Sequence, residues 1–377
     1  MTLDPGAGAS AAPARPGKHY HRIGCFEPEL GGFLPDVTLA YETWGELNSD
    51  RDNAVLVVHA LTGDSHAAGE PCAEHKRGGW WEPVIGPDRP IDTTEYFVVC
   101  SNVVGGCSGS TGPASTVPGS GECYGTRFPI ITIRDIVRAQ KRLLDDLGVR
   151  ELALVAGGSI GGQQALEWAV EFPDFVRKAI PVAATGALGP QGLGMSELGR
   201  RAIMADPDWQ GGDYYGTGRS PDHGLAIARM AGIMTYQSAA GQWERFGRRD
   251  AGRPALYEEF GGRFEVESYL HYQGKDLVNR FDANSYLYLL RAMDLYDVAR
   301  DYESPHAAYG RIEAEMLFVG ISSDWLFPAR EVRETAEAAR RAGANASYTE
   351  IESLSGHDAF LKDWDGLNAA IGPFIES

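Results

Sequence analysis

The chain has 377 residues, 43% of them hydrophobic, which suffices for one large α/β domain with an insertion or for two or three ordinary domains. Its formal net charge of −18 argues against nucleic acid and anionic membranes as partners, although a local cationic region could still receive an anionic substrate. No apolar run reaches the roughly 18 residues that a membrane-spanning helix requires, so we expect no membrane partner.

Residues 1–18 are rich in Ala, Gly and Pro and lack the apolar segment of a signal peptide, so we predict a disordered leader. After them, up to about residue 184, short apolar runs alternate with helical patterns. Four runs are continuous in Val, Ile, Leu and Ala, as in strands buried on both faces: 53–60, 95–102, 151–158 and 177–184. A helical pattern between the second and third runs ends at Gly148. This alternation predicts a parallel sheet.

The pattern changes in the middle of the chain. Residues 185–300 contain helix-like stretches joined by loops rich in Gly and Asp. Alternation then returns, with a strand at 314–321, a helix at 330–342, a strand at 346–351 and a last helix from about Asp358. We therefore predict an α/β core formed by residues 19–184 and 301–377, interrupted by a helical insertion at 185–300.

The stretch VAGGSIGGQQALEWA, at residues 155–169, surrounds one serine with four glycines. Gly157, Ser159 and Gly161 fit the G-x-S-x-G pattern of a nucleophile elbow, a strained turn that presents the serine oxygen at the carboxyl edge of a sheet. Small neighbours allow the close backbone approach that such a turn needs. Because a predicted strand precedes Ser159 and a predicted helix follows it, we interpret Ser159 as a nucleophile. The alternative is a plain glycine-rich turn.

A nucleophilic serine needs a base and an orienting carboxylate, which follow this elbow in the order Ser, Asp or Glu, His. Asp324 comes just after the predicted strand 314–321, and His357 is the one histidine that follows the last predicted strand. Taken singly, Asp324 could be a helix cap or turn residue, and His357 could simply neighbour a helix N-terminus. Their order at three strand ends predicts the triad Ser159, Asp324 and His357.

Acyl transfer also needs hydrogen-bond donors for the negative charge that develops on the carbonyl oxygen. We expect one donor to be the backbone N–H of Ile160, the residue after the nucleophile. The other should come from the loop after the first predicted strand, where Leu61 and Thr62 are the candidates and Thr62 could add its hydroxyl. His59 and His66 lie in this region but precede the serine, so we interpret them as structural.

Eight segments together resemble the homoserine O-acetyltransferases, an α/β-hydrolase-type family of methionine biosynthesis: HALTGDSHAAG, GGWWEPVIGP, SNVVGGCSGSTGP, GGSIGGQQALEWA, ADPDWQGGDYY, FDANSYLYLLRAMD, SSDWLFP and GHDAFL. The match runs from about residue 25 to the C-terminus. The family's elbow reads GGSMGG, and Ile160 replaces its Met without removing the backbone donor. The resemblance implies an α/β-hydrolase fold, with a mostly parallel sheet, helices on both faces and a helical lid at 185–300. It also implies a homodimer formed through the lid region.

The resemblance further implies a ping-pong reaction, in which Ser159 takes acetyl from acetyl-CoA and the hydroxyl of L-homoserine takes it from Ser159. Homoserine is a zwitterion, so its carboxylate needs a cation and its ammonium group needs an anion. Arg229 and Tyr236 would share a helical face, and the family places a substrate-binding arginine and tyrosine in this segment. It also places an aspartate that contacts the substrate amine where Asp358 stands. Considered alone, Arg229 could be a surface residue and Asp358 a helix N-cap.

Several related functions share the triad. An esterase would let water deacylate the serine, although the long insertion favours transfer over hydrolysis. Further alternatives are a homoserine O-succinyltransferase or serine O-acyltransferase of the same family, transfer in a ternary complex, and a non-enzymatic receptor, which the intact triad argues against. Leu326 bears on the acyl donor, because the resemblance implies an arginine there in succinyl-using relatives. Leucine offers no charge to a succinyl carboxylate, so we predict acetyl-CoA as the donor.

The predicted chemistry requires no metal or cofactor, since acetyl-CoA is a co-substrate, and the sequence contains no evident cluster of metal ligands. The five cysteines are odd in number and form no CxxC pair, which indicates a reduced, cytoplasmic protein without disulfides or structural zinc. The expected partners are L-homoserine, acetyl-CoA and a second copy of the chain.

Overall fold

The computed structural model describes residues 17–72, 75–252, 256–257 and 260–377, so nearly all of the predicted leader lies outside the described residues. The sheet contains the strands β1 His19–Phe26, β2 Leu34–Trp44, β3 Ala54–Val58, β4 Phe97–Ser101, β5 Leu152–Gly158, β6 Lys178–Val182, β7 Glu315–Ile321 and β8 Ala346–Ile351. The α-helices are α1 Ile133–Asp146, α2 Ile160–Glu171, α3 Pro190–Met204, α4 Asp222–Tyr236, α5 Ala239–Phe246, α6 Glu265–Val278, α7 Ala283–Leu295, α8 Pro305–Tyr309, α9 Ala329–Arg341 and α10 Trp364–Glu376.

The strands lie side by side in the order β1-β2-β4-β3-β5-β6-β7-β8. All strands from β4 across to β8 run parallel, and they coincide with the six strands predicted from the sequence. The prediction of a mostly parallel α/β sheet is therefore confirmed. The sequence analysis did not predict β1 and β2, which extend the β4 edge in antiparallel orientation.

Side chains of the parallel strands alternate between the two faces of the sheet. Leu56 belongs to one buried apolar cluster, together with Ile136 of α1 and Leu166 of α2. Its neighbour Val57 belongs to a second cluster, together with Leu367 of α10. Helices therefore cover both faces, as the α/β-hydrolase fold requires, and the continuous apolar runs of the sequence are explained by burial on both sides.

The helices α3 to α8 lie between β6 and β7 in the chain. Within this insertion α4 packs against α3 and α6, and it also contacts the short 3-10 helix Gly356–Leu361. Along the described part of the chain, no helix has both the length and the apolarity needed to cross a membrane.

The predicted start of the last helix near Asp358 is wrong. Asp358 lies in the 3-10 helix, and α10 begins only at Trp364. Asp363 causes the break, because its side chain caps the new helix by accepting a hydrogen bond from the N–H of Gly366 at 3.1 Å.

Candidate active site

Ser159 occupies the sharp turn between β5 and α2. Its backbone has φ +62° and ψ −128°, a conformation that non-glycine residues rarely adopt. Both Gly157 and Gly161 pack so closely against the carbonyl oxygen of Val58 that a Cβ atom on either would overlap it. Glycine at these positions therefore allows the turn at Ser159 to contact the end of β3, which a larger residue would prevent.

His357 and Asp324 meet beyond the ends of β8 and β7. Nδ1 of His357 lies 2.6 Å from Oδ2 of Asp324, and both side chains are almost completely buried. The other carboxylate oxygen of Asp324 accepts hydrogen bonds from the backbone N–H groups of Leu326 at 2.9 Å and Phe327 at 3.0 Å. The carboxylate is thus fixed by its own loop, and it orients the imidazole.

The opposite nitrogen of His357, Nε2, is buried and makes no hydrogen bond within the described chain. Burial by itself would lower the pKa of this histidine, but the charge and hydrogen bond of Asp324 outweigh burial and raise the pKa above its ordinary value. Asp358 adds to this increase. An imidazole with a raised pKa and a free nitrogen is suited to accept a proton from a nearby hydroxyl.

A tight turn after β3 supplies candidate oxyanion donors. The N–H of Gly63 donates to the carbonyl of Ala60 at 2.9 Å, so the central residues of the turn, Leu61 and Thr62, have no partner for their N–H groups within it. The N–H of Ile160 has no intrahelical partner either, because it opens α2. Arg280 donates to the carbonyl of Thr62 at 2.8 Å and holds the turn from the other side.

His59 supports this turn. The sequence analysis interpreted His59 as structural but did not predict this contact. Its Nδ1 lies 2.8 Å from the carbonyl of Ala60, and its Nε2 lies 3.2 Å from the N–H of Val103. Burial lowers the pKa of His59, which favours the neutral ring. A neutral ring can donate through Nδ1 and accept through Nε2, as both contacts require. No sequence pattern could reveal this pairing, because Val103 follows a different strand.

One small cavity, of about 70 Å³, brings most of the predicted residues together. It is lined by the nucleophile and base candidates, by the oxyanion turn and by the predicted substrate-binding residues: Ser159, His357, Leu61, Thr62, Arg229, Tyr236 and Asp358. Asp324 stands behind His357 and does not line this cavity. The described residues thus place a hydroxyl, a base and hydrogen-bond donors around one space.

Two opposite charges face this cavity. Arg229 lies on α4 with its guanidinium carbon 5.6 Å from the centre of the Tyr236 ring, and its buried Nε has no hydrogen-bond partner among the described residues. Asp358 accepts a hydrogen bond from Lys362 at 2.6 Å, and its side chain is 14% exposed. The unused donor capacity of Arg229 fits a carboxylate, and the acidic group fits a cation.

Leu326 does not line this cavity. Its side chain is 7% exposed and belongs to a buried apolar cluster, while its N–H holds Asp324. The next residue back, Trp325, lines a second, larger cavity of about 630 Å³ beside α5. A role of Leu326 in the choice of acyl donor therefore remains a prediction.

Comparison with known proteins identifies the family to which this chain belongs. The alpha/beta hydrolase fold family matches residues 53–363. Over 349 residues, the chain is 52% identical to a homoserine O-acetyltransferase of Symbiobacterium thermophilum, a match that covers 92% of this chain and 91% of the relative. The chain belongs to the homoserine O-acetyltransferase family.

Solved structures agree with this membership. The homoserine O-acetyltransferase of Bacillus anthracis has a TM-score of 0.88 at 30% identity, covering 96% of this chain and 98% of that one. Esterase E22 has a TM-score of 0.87 at 26% identity, covering 95% and 99%. The fold of homoserine O-acetyltransferases is therefore also found in an esterase, and the choice between transfer and hydrolysis depends on the site.

Proposed function

We propose that this protein transfers the acetyl group of acetyl-CoA to the side-chain hydroxyl of L-homoserine, giving O-acetyl-L-homoserine and CoA. The observation that carries the proposal is the cavity, in which Ser159 and His357 share one space with the cation Arg229 and the anion Asp358. A free amino acid presents a carboxylate and an ammonium group, and so it matches this pair of charges. Membership of the homoserine O-acetyltransferase family supports the same assignment.

In the first half-reaction, Nε2 of His357 accepts the proton of Ser159 while the serine oxygen attacks the thioester carbonyl of acetyl-CoA. The N–H of Ile160 and that of Leu61 or Thr62 stabilise the oxyanion. The carbon–sulfur bond then breaks, and CoA leaves as a thiol with the proton that His357 held. This leaves an acetyl ester on the serine.

In the second half-reaction, homoserine places its carboxylate on Arg229 and its ammonium group on Asp358. His357 accepts the proton of the homoserine hydroxyl, whose oxygen attacks the acetyl carbon. The ester bond to Ser159 breaks, and the proton returns to the serine oxygen. In both halves Asp324 orients the imidazole and offsets its transient positive charge.

We propose that the helical insertion at 185–300 acts as a lid over the core of residues 19–184 and 301–377. The sheet supplies the catalytic groups, whereas α4 supplies Arg229 and Tyr236 on the other side of the cavity. Such a division lets the acceptor help to close the site, and closure limits the access of water to the acetyl ester.

Hydrolysis of an acetyl ester is the second candidate function, because esterase E22 shares this fold. The same Ser159, His357 and Asp324 would form the acetyl-enzyme, and water would replace homoserine in the second step. The two functions differ only in the molecule that accepts the acetyl group from Ser159, which is homoserine in transfer and water in hydrolysis.

The experiment that tests the proposal follows free thiol release from acetyl-CoA with L-homoserine, with L-serine or with neither. We expect release that depends on homoserine, with an equal amount of O-acetyl-L-homoserine formed. Release that does not depend on any amino acid would assign hydrolysis instead. A preference for serine, or for succinyl-CoA in a parallel series, would assign one of the related transferase activities.

We also propose that the protein is a homodimer, assembled through the insertion, and works in the cytoplasm. Large apolar side chains are exposed on α3 and α4, among them Leu198 at 58% and Ile227 at 55%, and a second copy could cover them. All five cysteines are free thiols, in agreement with a reducing compartment. The acyl transfer itself requires no cofactor, because acetyl-CoA is a co-substrate. Analytical ultracentrifugation should find twice the chain mass.

A further inference from the structure

A residue of the insertion holds the oxyanion turn, residues 60–63. Arg280 lies between α6 and α7 in the chain, and its Nη1 donates a hydrogen bond to the carbonyl oxygen of Thr62 at 2.8 Å. The turn itself belongs to the core, because it follows β3. One side chain thus links the insertion to the backbone that supplies the candidate oxyanion donors.

The hydrogen bonds of this turn form a continuous chain. The carbonyl of Thr62 and the N–H of Gly63 belong to one peptide unit, and that N–H donates to the carbonyl of Ala60 at 2.9 Å. The carbonyl of Ala60 shares its own peptide unit with the N–H of Leu61. In a trans peptide the C=O and N–H groups point in opposite directions. The chain therefore begins at the guanidinium group of Arg280 and ends at the N–H of Leu61, a residue that lines the active-site cavity.

Each hydrogen bond in this chain strengthens the next one. A cation that donates to a carbonyl oxygen polarises the peptide unit, so the N–H of that unit becomes a stronger donor. The guanidinium group of Arg280 acts in this way on the N–H of Gly63, which acts in turn on the N–H of Leu61. His59 acts on the same peptide unit, since its Nδ1 lies 2.8 Å from the carbonyl oxygen of Ala60. The last N–H of the chain is therefore well suited to a negatively charged oxygen.

A charged neighbour holds Arg280 in turn. The Nε of Arg280 lies 3.6 Å from the carboxylate of Asp276 on α6, and this carboxylate also pairs with Arg77 of the loop between β3 and β4. Burial lowers the pKa of Arg280, and the charge of Arg229 lowers it further, but an arginine side chain keeps its proton in proteins. Arg280 therefore presents a fixed positive charge to the turn.

We propose that Arg280 is a positioning residue for acyl transfer, which orients and polarises the oxyanion turn in both half-reactions. The proposal rests on the proposed function, because an oxyanion forms only while Ser159 is acetylated and deacetylated. Arg280 acts through the backbone of the turn and not by touching acetyl-CoA or homoserine. The insertion thus contributes to the chemical step as well as to closure of the cavity.

This role predicts a distinctive kinetic pattern. An oxyanion forms when Ser159 attacks the thioester and again when homoserine attacks the acetyl ester. Loss of Arg280 should therefore slow both steps even at saturating substrate. A residue that only bound CoA or homoserine would instead change the concentration at which that one substrate half-saturates the enzyme.

The test compares Arg280→Met, which removes the donor, with Arg280→Lys, which keeps a cationic donor, both in the full chain. Single-turnover CoA release at a series of acetyl-CoA concentrations measures the first step, and addition of homoserine to the acetylated protein measures the second. Intact mass gives the acetylated fraction, so misfolded protein is not counted. We expect both saturating rate constants of Arg280→Met to fall at least about tenfold, with half-saturation concentrations changed by less than about twofold. Arg280→Lys should recover most of this loss, because a single hydrogen bond does not need the planar fork of arginine.

The control is Arg77→Gln. In the described part of the chain, Arg77 pairs with the same carboxylate of Asp276 and forms no hydrogen bond with the oxyanion turn. Its removal should leave both saturating rate constants within about twofold of the wild type, as expected for an exposed ion pair. The side chain of Arg280 is itself 34% exposed, so we expect its variants to fold. If Arg280→Met does not fold, the uncharged Arg280→Gln replaces it with the same expectation.

Three results would overturn the proposal: saturating rate constants that Arg280→Met leaves unchanged, a loss confined to one half-reaction, or an equal loss in Arg77→Gln. The second result would make Arg280 a ligand of one substrate, and the third would indicate a general effect of charge. A wild type that acetyl-CoA does not acetylate would instead contradict the proposed function itself.

Discussion

The protonation of His357 depends on two opposing effects at one side chain. Burial disfavours the charged ring, whereas the Asp324 carboxylate at 2.6 Å favours it and prevails. A base with a raised pKa accepts the serine proton more readily, but it remains protonated to a higher pH. The geometry therefore fixes the direction of the pH dependence.

We expect the rate of Ser159 acetylation to increase with pH through an apparent pKa above the ordinary histidine value of 6.5, because only neutral His357 can accept a proton. In Asp324→Asn the carboxylate is gone and burial remains, so the pKa of His357 should fall. Stopped-flow thiol release at a series of pH values measures the first quantity, and an NMR titration of His357 measures the second. An unchanged histidine pKa in the variant would contradict this account.

Arg229 should contribute to binding of the acceptor homoserine and not to the reaction with the donor acetyl-CoA. In Arg229→Ala, we expect KM for homoserine to rise by about tenfold to a hundredfold, as the loss of a charged hydrogen bond predicts. The single-turnover release of CoA should change little. Arg330→Ala is the control, since Arg330 is 76% exposed on α9 and lies far along the chain from the cavity residues of α4. Equal damage to both half-reactions would instead make Arg229 structural or a CoA ligand.

Leu326 provides a test of donor choice. We expect the wild type to use acetyl-CoA over succinyl-CoA by at least about tenfold in kcat/KM, which requires only about 1.4 kcal/mol of differential stabilisation. Leu326→Arg should move this preference toward succinyl-CoA. Because Leu326 is buried, the free energy of unfolding of the Leu326→Arg variant must be measured in parallel, with Leu326→Met as the volume-conserving control. Equal or better use of succinyl-CoA by the wild type would contradict the prediction.

At the scale of elements, the elbow is a contact between three pieces of backbone. β5 leads into Ser159, α2 leads away from it, and the end of β3 lies against the turn at Val58. The same strand then continues into the oxyanion turn, which His59 and Arg280 hold. The candidate nucleophile and the candidate oxyanion donors are thus positioned by one packing arrangement, and we expect a change in this contact to affect both stability and catalysis.

Gly161→Ala tests this arrangement, because its Cβ would overlap the carbonyl oxygen of Val58. We expect a loss of about 1–3 kcal/mol in the free energy of unfolding and a lower acetylation rate. Gly194→Ala is the matched control in α3, where a Cβ meets nothing within 4 Å, and it should stabilise the helix by about 0.5–1 kcal/mol. Denaturant unfolding of both variants provides the measurement. Similar effects of the two substitutions would show that the elbow is not tightly packed.

At the scale of the whole molecule, a strongly acidic chain places two arginines at or near the active-site cavity. The formal net charge is −18, yet Arg229 faces the cavity. Arg280 lies close enough to Arg229 for the charge of Arg229 to affect its pKa. Burial lowers the pKa of Arg280, and the neighbouring charge of Arg229 lowers it further. Positive side chains near the site can attract anionic acetyl-CoA despite the overall charge.

The sequence predicted the parallel part of this molecule because strands buried on both faces leave continuous apolar runs, such as residues 53–60. The strands β1 and β2 left no such signal, since β1 is mostly half-exposed and its pairing is interrupted by bulges near Gly24. The order of Ser159, Asp324 and His357 indicated a site at three strand ends. The support that His59 gives to the turn after β3 depends on long-range packing, which no local pattern encodes.

The central claim is that Ser159 carries the acetyl group between donor and acceptor. Intact mass spectrometry of the wild type mixed with acetyl-CoA, before and after L-homoserine is added, tests it most directly. We predict that the protein gains the mass of one acetyl group, loses it when homoserine is added, and never gains it in Ser159→Ala. Turnover without an acetylated intermediate, or an acetylated and active Ser159→Ala, would contradict the account.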